Sequence, residues 1–144
     1  MSALTLILFF TLILLVLISG FLSGSETAIT AASKPRIISK IKKGSKKANY
    51  VLKIINQKNN VISALLLSNN LVNILASSLA TAFFYDIFGI SGIFYATLTM
   101  TVVLVIFAEV LPKTYSINKP TRTALVISPV IYYLYKALFP IVFL

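Results

Sequence analysis

Three long stretches of the chain consist almost entirely of apolar and small residues. They cover about residues 4–26, 61–85 and 93–112, and very few of their positions carry a charge. A hydrocarbon core about 30 Å thick is crossed by about 20 helical residues, because each residue advances the helix by about 1.5 Å. The pattern therefore predicts an all-α membrane protein with three transmembrane helices.

The charges between these stretches predict how the helices cross the membrane. Nine of the thirteen Lys and Arg residues lie within residues 34–58, whereas the turn around Asp86 contains none. Basic loops stay on the cytoplasmic side, so we expect a cytoplasmic basic loop and an external N-terminus. Three spans also put Lys113, Lys119 and Arg122 in the cytoplasm. A signal peptide is disfavoured, because the positive charges follow the first apolar run instead of preceding it.

The last stretch, residues 123–144, has two interpretations. It is apolar, but it contains Pro129, Lys136 and Pro140. It also carries three tyrosines of the kind found at membrane interfaces: Tyr132, Tyr133 and Tyr135. The residues alone allow either a fourth span or a helix along the inner surface. Because the chain stops inside this apolar segment, we expect it to be part of a longer polypeptide.

Composition supports the membrane assignment and removes most catalytic chemistry. Hydrophobic residues make up 58% of the 144 residues and charged residues 11%, compared with roughly 25% charged in soluble domains. The chain has no Cys, His or Trp. A disulfide scaffold, a zinc finger, a Cys or His nucleophile and a histidine acid–base site are therefore excluded. We predict that the protein is not an enzyme.

The net charge of +10 makes nucleic acid a partner to consider. The basic loop, however, contains a single aromatic residue, Tyr50, and nucleic-acid surfaces combine positive charge with aromatic stacking. We predict that the loop fixes the topology and attracts anionic lipid headgroups, and that nucleic acid is not a partner.

The first span carries polar side chains on one helical face. Ser19, Ser23 and Glu26 are spaced at i, i+4 and i+7. Gly20 and Gly24 have the same spacing on the adjacent face, where another helix can approach closely or this helix can open. Close packing of small residues is the simpler explanation of the glycines and serines.

The second span contains three amides within five residues, of which Asn69 and Asn73 share a face. Hydrogen bonding between helices would explain them in part, but such bonds contribute only about 0.6 to 2 kcal/mol. A functional role beyond helix packing therefore remains an alternative for these amides.

The third span carries Glu109 next to Pro112. A charge at the centre of a span costs about 2.5 to 3.5 kcal/mol by insertion scales, so the carboxylate needs a partner. Pro112 has no N–H, and the Ala108 carbonyl therefore loses its α-helical donor beside the carboxylate. An i, i+4 ion pair with Lys113 is the simpler explanation.

Depth brings the three clusters to one level, since all fall in the middle or inner half of the bilayer when counted along each span. Together they supply hydroxyl, amide, carboxylate and carbonyl oxygens. Such ligands suit a hard cation, Mg²⁺, Ca²⁺ or Na⁺, and disfavour Zn²⁺ or Cu⁺. One or two carboxylates are typical of Mg²⁺ sites, although composition alone does not separate Mg²⁺ from Ca²⁺.

Three segments, 19–28 (SGFLSGSETA), 65–73 (LLLSNNLVN) and 109–114 (EVLPKT), closely resemble the transmembrane domain of the CorC/CNNM magnesium transporters. The resemblance covers nearly the whole chain, in the right order. It implies a homodimer in the cell membrane, with three spans per protomer, a helical cytoplasmic loop and a juxtamembrane helix at 123–144. Family members usually continue into cytoplasmic CBS domains, which are absent from these residues.

The resemblance also implies a function and a set of ligands. It implies export of Mg²⁺, with Na⁺ as the exchanged ion. The implied metal ligands are Ser19, Ser23, Asn73 and Glu109, with either serine as the direct ligand. The implied supporting residues are Gly20, Glu26, Asn69, Ala108 and Pro112. The alternative function is a module that anchors and dimerises a larger protein without transport activity of its own.

The topology can be tested with single cysteines, because the chain contains none. Gly89→Cys, in the turn without basic residues, should react with a membrane-impermeant thiol reagent added to intact cells. Ser45→Cys, in the basic loop, should not react. Labelling of Ser45→Cys from outside would contradict the three-span topology.

Overall fold

The computed structural model describes residues 2–142, and all regular secondary structure within them is helical, which confirms the predicted all-α class. Met1 and residues 143–144, the end of the predicted 123–144 segment, lie outside the described residues. The elements in chain order are α1 (Ala3–Ala31), α2 (Lys34–Lys42), α3 (Lys46–Asn56), α4 (Lys58–Phe88), α5 (Ser91–Val103), a π-helical segment (Leu104–Val110), α6 (Leu111–Asn118) and α7 (Pro120–Val142).

Four helical stretches are long and apolar enough to cross a membrane. They are α1, α4, the continuous run from α5 through α6 (Ser91–Asn118, 28 residues) and α7. The first three contain the predicted spans, and each helix extends beyond its apolar run. By length and composition α7 qualifies as well, so these criteria alone do not fix the number of spans at three. The protein is a membrane protein with several apolar helices.

The basic loop is folded into the helical pair α2 and α3. Both helices are amphipathic and bury Ile37, Ala48 and Val51 against Ala28 of α1 and Ala124 of α7. Ser45 is the N-cap of α3, and its hydroxyl accepts a hydrogen bond from the Ala48 N–H at 3.2 Å. The lysines therefore lie on a surface supported by an apolar underside.

Helix α1 is central and packs against α4, the π-helical segment, α6 and α7. Two apolar clusters surround it. One includes Leu12 and Leu15 and lies toward the α4–α5 turn, and the other includes Leu22 and Ile29 and lies toward the basic loop. Val72 of α4 packs against both clusters. The polar middle of α1 therefore lies between two apolar clusters.

Helix α7 runs alongside α3 and across the adjacent ends of α1 and α4. Ile127 and Ile131 are buried in the cluster toward the basic loop. The Ser128 hydroxyl donates to the Lys47 carbonyl at 3.3 Å, and the Tyr135 hydroxyl donates to the Gln57 side chain at 2.5 Å. The helix continues through both of its prolines.

The turn between α4 and α5 depends on two glycines. Gly89 ends α4 with a φ of 68°, a conformation that favours glycine. Gly92, at the start of α5, sits so close to α4 that a Cβ there would overlap the Phe84 carbonyl group. The two helices can thus meet tightly only if residue 92 has no side chain.

Gly92→Ala should therefore destabilise the helical pair by forcing the backbone of α4 away. Overpacking of this kind costs about 1 to 3 kcal/mol, which corresponds to a fall of about 5 °C in thermal unfolding temperature in detergent. Ser91→Ala, next to it on an exposed position, should change this temperature little. Equal unfolding temperatures for Gly92→Ala and Ser91→Ala would contradict the close contact between residue 92 and the Phe84 carbonyl.

Candidate metal centre

Four polar side chains from α1 and α4 meet in the middle of the helices. The Ser19 hydroxyl lies 2.9 Å from Asn69 Oδ1 and 2.5 Å from Asn73 Oδ1. Asn69 Nδ2 donates to the Ser23 hydroxyl at 3.3 Å. The structure thus brings together four residues that the sequence had placed on two separate helices. We call Ser19, Ser23, Asn69 and Asn73 the oxygen cluster.

The protons in the oxygen cluster are too few for its contacts. A serine hydroxyl supplies one proton, whereas two amide carbonyl oxygens approach Ser19 within hydrogen-bond distance. With the amides in these orientations, one of the two oxygen pairs has no proton between its members. Oxygens held this close repel one another unless a positive charge lies between or beside them. In these orientations the converging oxygens could share a cation, and with the Asn73 amide turned over the same contacts would form a closed hydrogen-bond network.

Burial makes this shortage of protons costly. Ser19 and Ser23 are completely buried, with 0% of their surface exposed, and the two asparagines are half-buried. Water therefore cannot replace a missing partner of Ser19 at low cost, since an unpaired polar group costs several kcal/mol in an apolar environment. The low dielectric constant of this buried environment would strengthen the attraction between these oxygens and a cation.

Next to the oxygen cluster, the third apolar stretch leaves the α-helical register. From Leu104 to Val110 it is a π-helix, in which the Leu111 N–H donates to the Ile106 carbonyl five residues back. One residue later the chain has Pro112, which carries no N–H. The Phe107 carbonyl therefore lacks both of its usual donors, the N–H groups four and five residues on. Segments of this kind occur frequently at functional sites.

The glycines of α1 allow the π-helical segment to come close. A Cβ at Gly20 would lie 3.3 Å from the Phe107 carbonyl oxygen and 3.3 Å from Pro112 Cγ. A Cβ at Gly24 would lie 3.2 Å from the Ser116 hydroxyl. The unpaired Phe107 carbonyl thus lies against Gly20 of α1, which follows Ser19 in the chain. This is the close helix approach that the glycine spacing predicted.

The two acidic residues of the predicted site share no hydrogen bond with the oxygen cluster in the described chain. Glu109 is half-buried on the π-helical segment, next to the fully buried Ala108. Within residues 2–142 its carboxylate has no hydrogen bond, and no ion pair joins it to Lys113. Glu26 is half-buried on α1, one turn beyond Ser23, and its carboxylate also has no recorded hydrogen bond in the described chain.

Neutral oxygens must supply most of the ligands for a cation here. No group of three or more His, Cys, Asp or Glu side chains gathers anywhere in residues 2–142. The sequence pointed to the four side chains that meet here, Ser19, Ser23, Asn69 and Asn73, but missed the π-helical segment and the Phe107 carbonyl. Pro112 was the available signal, because it interrupts the α-helical hydrogen bonds, but a proline does not specify which register replaces them.

The helices are long and apolar enough to cross a membrane, and polar side chains are buried between them. These two features together indicate an integral membrane protein. Residues 9–144 match the model of the cyclin M (CNNM) transmembrane N-terminal domain. The chain therefore belongs to the CNNM transmembrane-domain family, which confirms the resemblance to CorC/CNNM proteins.

Bacterial relatives support this membership. The UPF0053 inner membrane protein YfjD of Escherichia coli is 40% identical over 107 residues, which are 74% of this chain and 25% of that protein. A UPF0053 protein of Haemophilus influenzae is 33% identical over 137 residues, 95% of this chain and 33% of that protein. The chain thus spans about a quarter to a third of the length of these relatives.

The two serines should differ in their contribution to stability. Ser19→Ala removes the one hydroxyl proton that the two amide oxygens share in a buried site and should cost about 1 to 2 kcal/mol. Ser23→Ala removes one long hydrogen bond and should cost less than about 1 kcal/mol. Equilibrium unfolding in detergent without divalent metal measures both, and a larger loss in Ser23→Ala would contradict the geometry.

Proposed function

We propose that this chain is the membrane domain of a magnesium transporter that exports Mg²⁺ from the cytoplasm, with Na⁺ as the exchanged ion. The observation that carries the proposal is the convergence of the fully buried Ser19 hydroxyl with the side-chain amides of Asn69 and Asn73 between two apolar helices. The activity is transport, with no covalent chemistry.

In this proposal the ligands are Ser19, Ser23, Asn73 and Glu109, assisted by the Phe107 carbonyl. Mg²⁺ loses its water reluctantly and is held by one or two carboxylates together with retained waters. A site with one nearby carboxylate and a few neutral oxygens meets that need. Asn69 positions both serines, since its amide contacts each of them.

The membrane placement follows from α7. Its contacts with α3 extend over Ser128 and Tyr135, and α3 carries part of the basic loop, which we place in the cytoplasm. A helix cannot run beside that loop over this length and also cross the hydrocarbon core from the same end. We therefore propose three spans, with α7 along the inner surface of the cell membrane and the N-terminus outside.

Partners form a further part of the proposal. The chain works as a homodimer, and its basic loop attracts anionic lipid headgroups rather than nucleic acid. Because the relatives are about three times as long as this chain, cytoplasmic CBS domains would belong to the full-length protein. Alternating access around the oxygen cluster would use Gly20, Gly24 and Pro112 as the points where helices bend.

The competing function is an anchoring and dimerising module, and one observation favours it. Asn69 bridges Ser19 and Ser23 by direct hydrogen bonds, as a purely structural contact between helices would. Asn73 favours transport, because its oxygen shares a proton already used by Asn69. A liposome assay with opposed Na⁺ and Mg²⁺ gradients separates the two functions. Absence of Mg²⁺ flux in liposomes that contain correctly folded protein would refute transport by this chain.

Glu109→Gln and Lys113→Ala should have opposite effects on Mg²⁺ binding. Glu109→Gln removes the one carboxylate at the site and should weaken binding at least tenfold. Lys113→Ala removes a competing positive charge and should leave the affinity unchanged or higher. Calorimetric titration of both variants with Mg²⁺ is the measurement. If the two residues only pair with each other, both variants should be mildly destabilised and still bind, and retained binding in Glu109→Gln would refute the site.

A further inference from the structure

A crevice of about 330 Å³ lies between α4 and α5, on the side of the oxygen cluster away from the basic loop. Hydroxyl groups line both of its walls, and its deep end reaches the π-helical segment. The lining residues that matter here are Ser77, Thr81, Thr97, Thr101, Leu104 and Val105. We call this space the hydroxyl crevice. Thr97 and Thr101 are exposed and Ser77 and Thr81 are half-buried, so the crevice is open at the surface of the helix pair. Four hydroxyls gathered along one such surface need an explanation beyond the tolerance of membrane helices for single threonines.

The hydroxyls in the crevice offer acceptors rather than donors. Thr81, Thr97 and Thr101 each donate to the backbone carbonyl four residues back, at 3.0, 2.9 and 2.6 Å. Their protons are therefore used, and their lone pairs remain free. The Ser77 hydroxyl makes no hydrogen bond within residues 2–142, so its proton is free as well as its lone pairs. Three of the four hydroxyls thus offer acceptors alone, and such a surface favours a cation over an anion.

The crevice continues the oxygen cluster along α4. Asn69, Asn73, Ser77 and Thr81 follow one another at steps of four residues. Each step advances about 6 Å and turns about 40° around the helix axis, since the α-helix has 3.6 residues per turn. The row therefore winds from the face that contacts Ser19 of α1 to the face that contacts α5. Polar groups thus follow a continuous line from the buried site to the crevice.

The opposite wall matches this row in depth. Thr81 lies about 10 Å from the end of α4 and Thr97 about 9 Å from the start of α5, at the same turn. Ser77 and Thr101 lie about 16 and 15 Å from these ends. The hydroxyls therefore form two paired levels, about 6 Å apart, above Asn73.

We infer that the hydroxyl crevice is the outward half of the ion path, through which a partly hydrated hard cation moves between the oxygen cluster and the external surface. The inference rests on the proposed transport function. Its volume is that of about ten waters, enough for a cation that keeps most of its hydration shell. Neutral hydroxyls bind such an ion weakly, and weak binding is what passage requires.

Accessibility from outside tests this inference without a flux measurement. Thr81→Cys and Thr97→Cys should react with a membrane-impermeant methanethiosulfonate reagent added to intact cells, at least tenfold faster than Thr11→Cys. Thr11 is the matched control, because it lies in α1 outside the crevice and makes the same bond to the carbonyl four residues back, at 2.7 Å. External Na⁺ or Mg²⁺ should slow labelling, and the cation that does so is the one that uses the crevice.

Each outcome is decisive. Slow labelling at both positions, or spontaneous disulfide cross-linking of two Thr97→Cys chains, would overturn the inference, because the crevice would then face lipid or a second copy. Labelling that neither cation slows would overturn it as well. If Glu109→Gln keeps its Mg²⁺ binding, the proposed inner site fails, whereas the labelling still reports whether the crevice takes cations.

The rate of passage supplies a second readout. The double variant with Thr81→Val and Thr97→Val keeps the shape of both side chains and removes both hydroxyls. It should reduce Mg²⁺ flux in liposomes about tenfold and leave the calorimetric Mg²⁺ affinity of the inner site unchanged. Thr11→Val should change neither quantity, and unchanged flux in the double variant would refute the path.

Discussion

The contact between the Ser19 hydroxyl and the amides of Asn69 and Asn73 is the constraint around which the structure is arranged. Polar groups at this depth cannot rely on water, so they must find partners inside the protein. Apolar clusters close the space on both sides of the contact, and the adjacent glycine brings a third helical segment against it. The same enclosure makes any unpaired polar group in this contact costly.

The second determinant is the backbone irregularity in the third apolar stretch. In an α-helical register Pro112 would free the Ala108 carbonyl, whereas in the π register it frees the Phe107 carbonyl. Gly20 is the matching feature on the other helix, since any larger residue would push this carbonyl away. The free carbonyl therefore lies against α1 at the residue that follows the buried Ser19 in the chain.

Charge and burial cooperate at the other end of the helices. The basic residues determine which side of the membrane the α2–α3 pair occupies, and the apolar underside of that pair binds α7. The tyrosines of α7 then serve two purposes, because Tyr135 bonds to Gln57 while Tyr132 packs under the ammonium groups of Lys53 and Lys136. Such aromatic and cationic contacts are typical of a surface between lipid and water.

The sequence by itself determined the helical class, the three long apolar stretches, the basic loop and the polar residues that need partners, because each follows from local composition and spacing. Ser19, Ser23, Asn69 and Asn73 were all identifiable in this way. Only the tertiary structure decided that Asn69 joins both serines, that α7 packs on the loop, and that the helix around Glu109 adopts the π register. These features depend on contacts between residues far apart in the chain, such as Ser19 with Asn73 and Gly20 with Phe107. A periodic pattern within one helix carries no information about which face of another helix it will meet.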